Sequence, residues 1–332
     1  MVKGRKEMSS RKFAKFGGIV TPLATPLVEE DSLDRPGFEA LIEHVLGGGV
    51  HGVFLLGTNG EAPSLSYRLR NEIIDRACRQ IGDRVPILVG ITDTSFTESI
   101  TLAKHAADAG ADALVLAPPY YFPCGQEDLL GYLRRIVPAL PLPVFLYNIP
   151  SCTKTVMERE TVVRASEDPK IVGLKDSSGD MLYFQQLQEA FRDRPEYRLM
   201  MGPEELLTGA LLVGAHGGVC GGSNLFPKLY VEIFNAVGEC EFEKALRLHA
   251  LVMQIRRRIY SADYASGNHL KGMKYVLSLL GICRGAMAEP FNGLSNEKMR
   301  EVAEAFEDLK EECMEPGNAE ALVTEPVRSM KG

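Results

Sequence analysis

The 332-residue chain is 45% hydrophobic and 24% charged, an ordinary globular composition with enough length for a large core. A formal net charge of −7 and a pI near 5.5 provide no overall basic face, which argues against a nucleic-acid partner. No run of 18 apolar residues occurs, so no membrane span is expected. The seven cysteines are scattered and lack Cys-x-x-Cys spacing, which reads as reduced thiols in a cytoplasmic protein rather than a disulfide framework or a zinc site.

Residues 1–15 carry Lys3, Arg5, Lys6, Arg11, Lys12 and Lys15 against the single acid Glu7. They lack an apolar face and read as a solvated basic extension rather than a transit peptide. From residue 16, short apolar runs alternate with segments of helical period. The strand candidates are Gly18–Thr21, Gly52–Leu56, Pro86–Gly90, Ala113–Ala117, Val144–Asn148, Ile171–Lys175, Arg198–Gly202 and Gly217–Cys220. Between and after them lie helix candidates at Arg35–Leu46, Ser66–Ile81, Phe96–Ala109, Gln126–Ala139, Glu158–Ser166, Met181–Phe191, Glu204–Val213 and Pro227–Val237. Eight such units predict a closed (β/α)8 TIM barrel over residues 16–238. Helical patterns at Glu241–Ser261, His269–Leu280 and Ser295–Glu312 predict a C-terminal helical extension over 239–312, and residues 313–332 read as a loose polar tail.

In such a barrel the chemistry sits at the C-terminal ends of the strands. The most unusual residue there is Lys175, which ends an apolar run and precedes Asp176-Ser177-Ser178-Gly179-Asp180, a loop with helix N-cap candidates. Burying an unpaired ammonium is costly. The same desolvation favours a neutral amine, the form that attacks a ketone to make a Schiff base. The alternative is a lysine that snorkels to the rim or pairs with Asp176. Tyr147, one strand earlier, is the candidate proton shuttle, because neighbouring strands lie about 4.8 Å apart; otherwise it packs beneath a loop. Gly57-Thr58-Asn59-Gly60-Glu61 offers backbone amides to a small carboxylate, or simply a tight turn that satisfies itself, with Glu61 as a helix-start acid or outer support. Asp93, Thr94, Gly202, Val219 and Ser223 fall at or near the same rim.

Other patterns are declined. Gly47-Gly48-Gly49-Val50-His51-Gly52 has the letters of a dinucleotide fingerprint, but it precedes a strand and reads as a helix end and turn. The six histidines show no metal spacing, and surface or loop roles are expected for most. Arg256-Arg257-Arg258 reads as a solvated or interface face.

Gly57-Thr58-Asn59-Gly60-Glu61, Tyr147-Asn148-Ile149-Pro150-Ser151 and Gly173-Leu174-Lys175-Asp176-Ser177-Ser178-Gly179-Asp180 together resemble the motifs of the dihydrodipicolinate synthase / N-acetylneuraminate lyase superfamily, the pyruvate-dependent class I aldolases. The resemblance covers about residues 16–312. It implies that Lys175 forms the Schiff base with pyruvate, that no cofactor or metal is needed, and that Tyr147 moves protons. It further implies that Thr58 links Tyr147 to Tyr121 of a neighbouring subunit, and that the amides of Thr58 and Asn59 hold the pyruvate carboxylate. A homotetramer built as a dimer of dimers would follow. Gly202, Val219 and Cys152 are the remaining expected substrate contacts. Cys152 occupies the position of the synthases' substrate-binding arginine, and a thiol cannot replace a bidentate guanidinium. Asn59 and the run from Lys175 to Asp180 look more like 4-hydroxy-2-oxoglutarate aldolases and 2-keto-3-deoxy sugar acid aldolases, so the expected reaction is reversible cleavage of a 2-oxo-4-hydroxy acid to pyruvate and a small aldehyde. Alternatives are dehydration of a 2-keto-3-deoxy sugar acid through the same imine, the synthase reaction that Cys152 disfavours, and a ligand-binding barrel without activity.

Overall fold

In the computed structural model, residues 16–29, 31–260 and 268–316 are described here. The basic extension over 1–15 and the tail beyond 316 lie outside the described residues. Eight parallel strands close into a barrel: β1 (Gly18–Pro22), β2 (Gly52–Leu55), β3 (Ile87–Gly90), β4 (Ala113–Leu116), β5 (Val144–Asn148), β6 (Ile171–Asp176), β7 (Arg198–Met201) and β8 (Gly217–Val219). Each pairs with its sequence neighbours, and β8 pairs with β1 to complete the ring. The strands are buried along almost their whole length, as expected when helices cover the outside and side chains fill the inside.

The helices follow the 3.6-residue pattern read from the sequence: α1 (Arg35–Gly47), α2 (Tyr67–Ile81), α3 (Phe96–Ala109), α4 (Gln126–Ile136), α5 (Arg159–Ala165), α6 (Met181–Ala190), α7 (Leu207–Leu212) and α8 (Pro227–Gly238). Several starts are capped by the residue types the sequence offers. Asp34, Ser66, Ser95 and Asp180 each accept a hydrogen bond from a first-turn amide. The appendage consists of α9 (Phe242–Arg258), α10 (Asn268–Leu279) and α11 (Asn296–Met314). α9 packs on α8, and α11 packs on α9 and α10. Cys313 is fully buried, so helical packing runs past the boundary at residue 312 expected from the sequence.

Two apolar clusters divide the interior. Val20, Phe54, Leu88, Val115, Phe145, Val172, Met200 and Val219 belong to one, together with Phe16 and Tyr147. The other joins the remaining strand residues to the buried helix faces. Alternation along each strand explains the division, since successive side chains point to opposite faces.

Several local elements escaped the sequence pattern. A short antiparallel ribbon joins Leu27–Glu29 to Ser32–Leu33, and Leu27 bridges to Ala286 near the appendage. A single helical turn forms over Pro150–Thr153, and Glu204–Leu206 is a 3-10 turn ahead of α7. All six histidines are half-buried; His51 and His216 lie in loops and the other four on helices. Burial, helped by the nearby charge of Arg198, pushes the His216 pKa down to about 4. Arg256 pairs with Glu205 and Arg258 with Asp308, so two members of the arginine run are tied within the chain. All seven cysteines are free thiols.

Candidate active site

The C-terminal rim of the barrel surrounds a cavity of about 1030 Å³. Its floor is set by strand register. Lys175 on β6 stands beside Tyr147 on β5 and Met200 on β7. It is 7% exposed, and its Nζ lies 4.2 Å from the Tyr147 ring centroid and 5.1 Å from that of Phe54. Among the described residues no carboxylate lies within ion-pair distance of this amine. The pairing with Asp176 is therefore not what holds it. Asp176 is fully buried and accepts hydrogen bonds from Asn148 Nδ2 (2.8 Å) and Ser178 Oγ (2.8 Å). Burial raises its pKa, and those bonds oppose the rise. Asn148 Oδ1 accepts from Met157 N at 3.0 Å, so the same side chain that ties the end of β5 to β6 through Asp176 also holds the segment ahead of α5.

The Tyr147 hydroxyl lies 3.4 Å from Thr58 Oγ1, at the long end of hydrogen-bond range. Thr58 and Asn59 sit in two overlapping turns, in which Gly60 N donates to the Gly57 carbonyl and Glu61 N to the Thr58 carbonyl. Both line the cavity with Gly202, Val219 and Cys152. Gly202 is required by close approach, because a Cβ there would lie 2.0 Å from Ser177 Oγ and 2.7 Å from the Asp176 carbonyl. Cys152 is exposed at residue level, yet its thiol lies deep enough among its neighbours that desolvation raises its pKa, against the charge of Lys175. Of the two adjacent tyrosines after β4, Tyr120 lines the cavity. Tyr121 does not; it is 68% exposed and packs edge-on against Phe122, itself 76% exposed. Within one chain, then, Lys175, Tyr147 and Thr58 come together and Tyr121 stands apart. Asp93 also leaves the cavity wall, held by Arg70 (3.1 Å) and the Tyr67 hydroxyl (3.1 Å). Ser223 is buried against Thr21 and the Cys220 carbonyl.

Other lining residues were not singled out from the sequence. Glu204 is buried and accepts from Gly222 N (2.7 Å) and the Tyr230 hydroxyl (2.8 Å), and burial lifts its pKa to about 7. Glu205 and His269 also line the wall, and burial lowers the His269 pKa to about 4. Glu204 and Glu205 directly follow the Gly202-Pro203 end of β7, so their place after a barrel strand was the available signal. His269, Leu270, Met273 and Phe291 come from the appendage, which no strand-end rule addresses.

A lysine beside a phenol at the base of a strand-end cavity can form an imine and exchange protons with a bound keto acid. The sequence model of the dihydrodipicolinate synthetase family matches residues 15–309. The chain belongs to that family. Its members are class I, pyruvate-dependent lyases, and this chain is a lyase of that kind. A dihydrodipicolinate synthase structure from Bacteroides thetaiotaomicron is 47% identical, covers 88% of this chain and 98% of its own, and superposes with a TM-score of 0.85. YagE from Escherichia coli K12, solved in complex with pyruvate, is 28% identical over 89% of this chain and 99% of its own, with a TM-score of 0.84. An uncharacterised DapA-like lyase of Halobacterium salinarum is 32% identical over 88% of this chain and 93% of its own. Among the described residues, no helix is long and apolar enough to cross a membrane, and no group of three or more His, Cys, Asp and Glu is placed to hold a metal ion.

Proposed function

We propose that the protein cleaves 2-oxo-4-hydroxy acids with an uncharged, hydroxyl-bearing tail to pyruvate and an aldehyde, through an imine on Lys175. The observation that carries this reading is the charge pattern of the cavity. Among the described residues Lys175 is the one lysine that lines it and no arginine does, while Glu61, Glu204 and Glu205 do. A second carboxylate on the substrate would find no guanidinium on that wall. Ser151, Ser177 and Ser178 on the wall suit hydroxyls instead. YagE, which carries a provisional assignment as a 2-dehydro-3-deoxy-D-gluconate aldolase, is a relative 31% identical over 78% of this chain and 86% of its own, in keeping with such a substrate.

In the proposed reaction the Lys175 amine adds to the C2 ketone and the carbinolamine loses water. The resulting iminium withdraws electrons as the C3–C4 bond breaks and the C4 hydroxyl loses its proton. The aldehyde leaves, the enamine is protonated at C3, and water hydrolyses the imine to release pyruvate. Tyr147 is the group placed to carry these protons, with Thr58 behind its hydroxyl. The amides of Thr58 and Asn59 hold the carboxylate. Tyr121, exposed with Phe122, would reach the site of a neighbouring copy within a homotetramer.

The test is borohydride reduction in the presence of pyruvate. It should add one pyruvate-derived mass at Lys175 and abolish activity, and Lys175→Ala should remain unlabelled. Labelling of Lys175→Ala at the wild-type level would remove Lys175 from the chemistry. A product assay that separates pyruvate release from formation of a dehydrated keto acid distinguishes aldolase from dehydratase.

A further inference from the structure

Glu61 and Lys274 form an ion pair that is almost wholly withdrawn from solvent, with side-chain exposures of 2% and 1%. Each end has a second partner. Lys274 Nζ also donates to the Ala286 carbonyl at 2.7 Å, and the second Glu61 oxygen accepts from Ala288 N at 2.8 Å. Burial lowers the pKa of Lys274, and the Glu61 charge works against that fall. The pair joins two parts of the molecule. Glu61 closes the Thr58-Asn59 turn after β2, whereas Lys274 lies on α10 of the appendage, and the Ala286–Ala288 segment follows that helix. Glu61 has φ of +55°, a left-handed conformation that a residue with a side chain adopts only when its surroundings hold it. Thr25 Oγ1 fixes the next carbonyl back, that of Gly60, at 2.8 Å.

A second contact repeats the connection one residue away. Any side chain at Gly221 would run into Asn59 Nδ2 at 2.6 Å and Met273 Cε at 3.2 Å, so Asn59 and Met273 both crowd the same glycine. Met273 precedes Lys274 and lines the cavity. The turn that presents the Thr58 and Asn59 amides is thus held from outside the barrel by α10 through charge at Glu61, and Asn59 and Met273 of α10 crowd the same glycine. Amide donors bind a carboxylate well only within a narrow range of distance and angle.

We propose that Lys274 is a positioning residue for pyruvate: through Glu61 it holds the Thr58-Asn59 turn in the orientation that receives the substrate carboxylate, and so couples the C-terminal helices to substrate affinity. The proposal rests on the pyruvate site described above. It predicts a change in pyruvate affinity rather than in the chemistry at Lys175.

Removing one partner alone would strand a buried charge and destabilise the fold, so the test replaces both by neutral side chains of similar size, Glu61→Gln with Lys274→Met. Borohydride trapping is measured against pyruvate concentration on wild type and on the double variant, with folding checked by circular dichroism and melting. We expect the half-saturating pyruvate concentration to rise about 10-fold or more. The trapping rate at saturation should stay within about 3-fold, because Lys175 and Tyr147 are untouched. If wild type is not trapped at all, the pyruvate reading of the site falls and the proposal falls with it. If wild type is trapped and the folded variant saturates at the same concentration, the site reading stands and the positioning role is overturned. Should the double variant fail to fold, amide hydrogen exchange on the wild-type protein decides the matter. Pyruvate should slow exchange at Ala288, whose N–H is held by Glu61, along with residues 58–61. Protection of 58–61 alone would overturn the coupling.

Discussion

Replacing Tyr147 by Phe removes one oxygen and leaves the ring. The ring is 6% exposed, packs edge-on to Phe54 at 6.4 Å between centroids, and covers the Lys175 amine at 4.2 Å. All of that packing survives the change. The lost hydrogen bond to Thr58 is long at 3.4 Å, and both hydroxyl-bearing residues line the cavity. Its contribution to stability should sit at the lower end of the usual range, about 0.5–1.5 kcal/mol. The melting temperature should therefore fall by no more than about 5 °C. The expected cost to catalysis is larger. Loss of a general acid–base group lowers kcat by about 10²–10⁴-fold, or roughly 3–5 kcal/mol at 1.36 kcal/mol per decade. Pyruvate release from a 2-oxo-4-hydroxy acid, followed continuously alongside thermal melting, separates the two effects. Wild-type turnover in a folded variant would remove Tyr147 from the mechanism. A rise in KM at unchanged kcat would reassign it to binding.

Cys152 leaves the cavity without a guanidinium, and hydrogen bonds to charged groups contribute about 1.5–3 kcal/mol. Aspartate semialdehyde should accordingly be condensed with pyruvate about 10–150-fold less efficiently in kcat/KM than a neutral-tailed 2-keto-3-deoxy acid is cleaved; preference for the semialdehyde on the same preparation would restore the synthase assignment. Gly202→Ala places a methyl group against Ser177 Oγ and the Asp176 carbonyl, so both stability and turnover should fall, and a variant matching wild type in melting and kinetics would contradict the tight approach. Glu204 gives a pH prediction. Its folded pKa is raised to about 7, chiefly by burial, above an ordinary value of 4.5, so the folded state binds its proton more tightly than the unfolded chain. Its contribution is fully present below about pH 4.5 and is lost as pH rises through about 7, some 3 kcal/mol in all. Stability curves of wild type and Glu204→Gln should diverge across that interval, and parallel curves would refute the shift.

The barrel was legible because its signals are local and repeated. Each strand is a buried apolar run, each helix a stretch of 3.6-residue period, and the strand-end rule then drew residues as distant as Thr58 and Lys175 onto one rim. Lys175 and Tyr147 announced themselves as polar groups ending apolar runs, and the structure sets them side by side in register. The ribbon at Leu27–Glu29 was not legible, since strands of two or three residues carry no period. Tyr120 and Tyr121 are indistinguishable as letters; only the path of the loop sends one into the cavity and the other to the surface. The Glu61–Lys274 pair was hidden for another reason. Its second anchor, Ala288, lies 227 residues from Glu61, and ion pairing leaves no periodic trace. The one hint was a lysine between Met273 and Leu277 on the apolar face of α10, where an unpaired charge would not be tolerated.

The wall of the cavity then explains why the same floor could serve more than one substrate. Lys175 and Tyr147 stand on the barrel itself, where strand register fixes them, and Thr58 reaches the Tyr147 hydroxyl from the turn just after β2. The groups that would meet the far end of a substrate stand on rim loops and on the appendage: Cys152, Ser177, Ser178, Glu204, Glu205 and His269. The three acids are already committed, Glu61 to Lys274, Glu204 to Tyr230 and Gly222, and Glu205 to Arg256. None is free to take a substrate cation without giving up an existing partner, and none offers a second carboxylate a positive charge. Hydroxyl groups carry neither cost. They can bond to the serines and to accepting oxygens without any change of charge in the cavity. This is the physical basis of the proposal that the substrate carries a short, uncharged, hydroxylated tail, and the imine chemistry proposed beneath it does not depend on which tail it is.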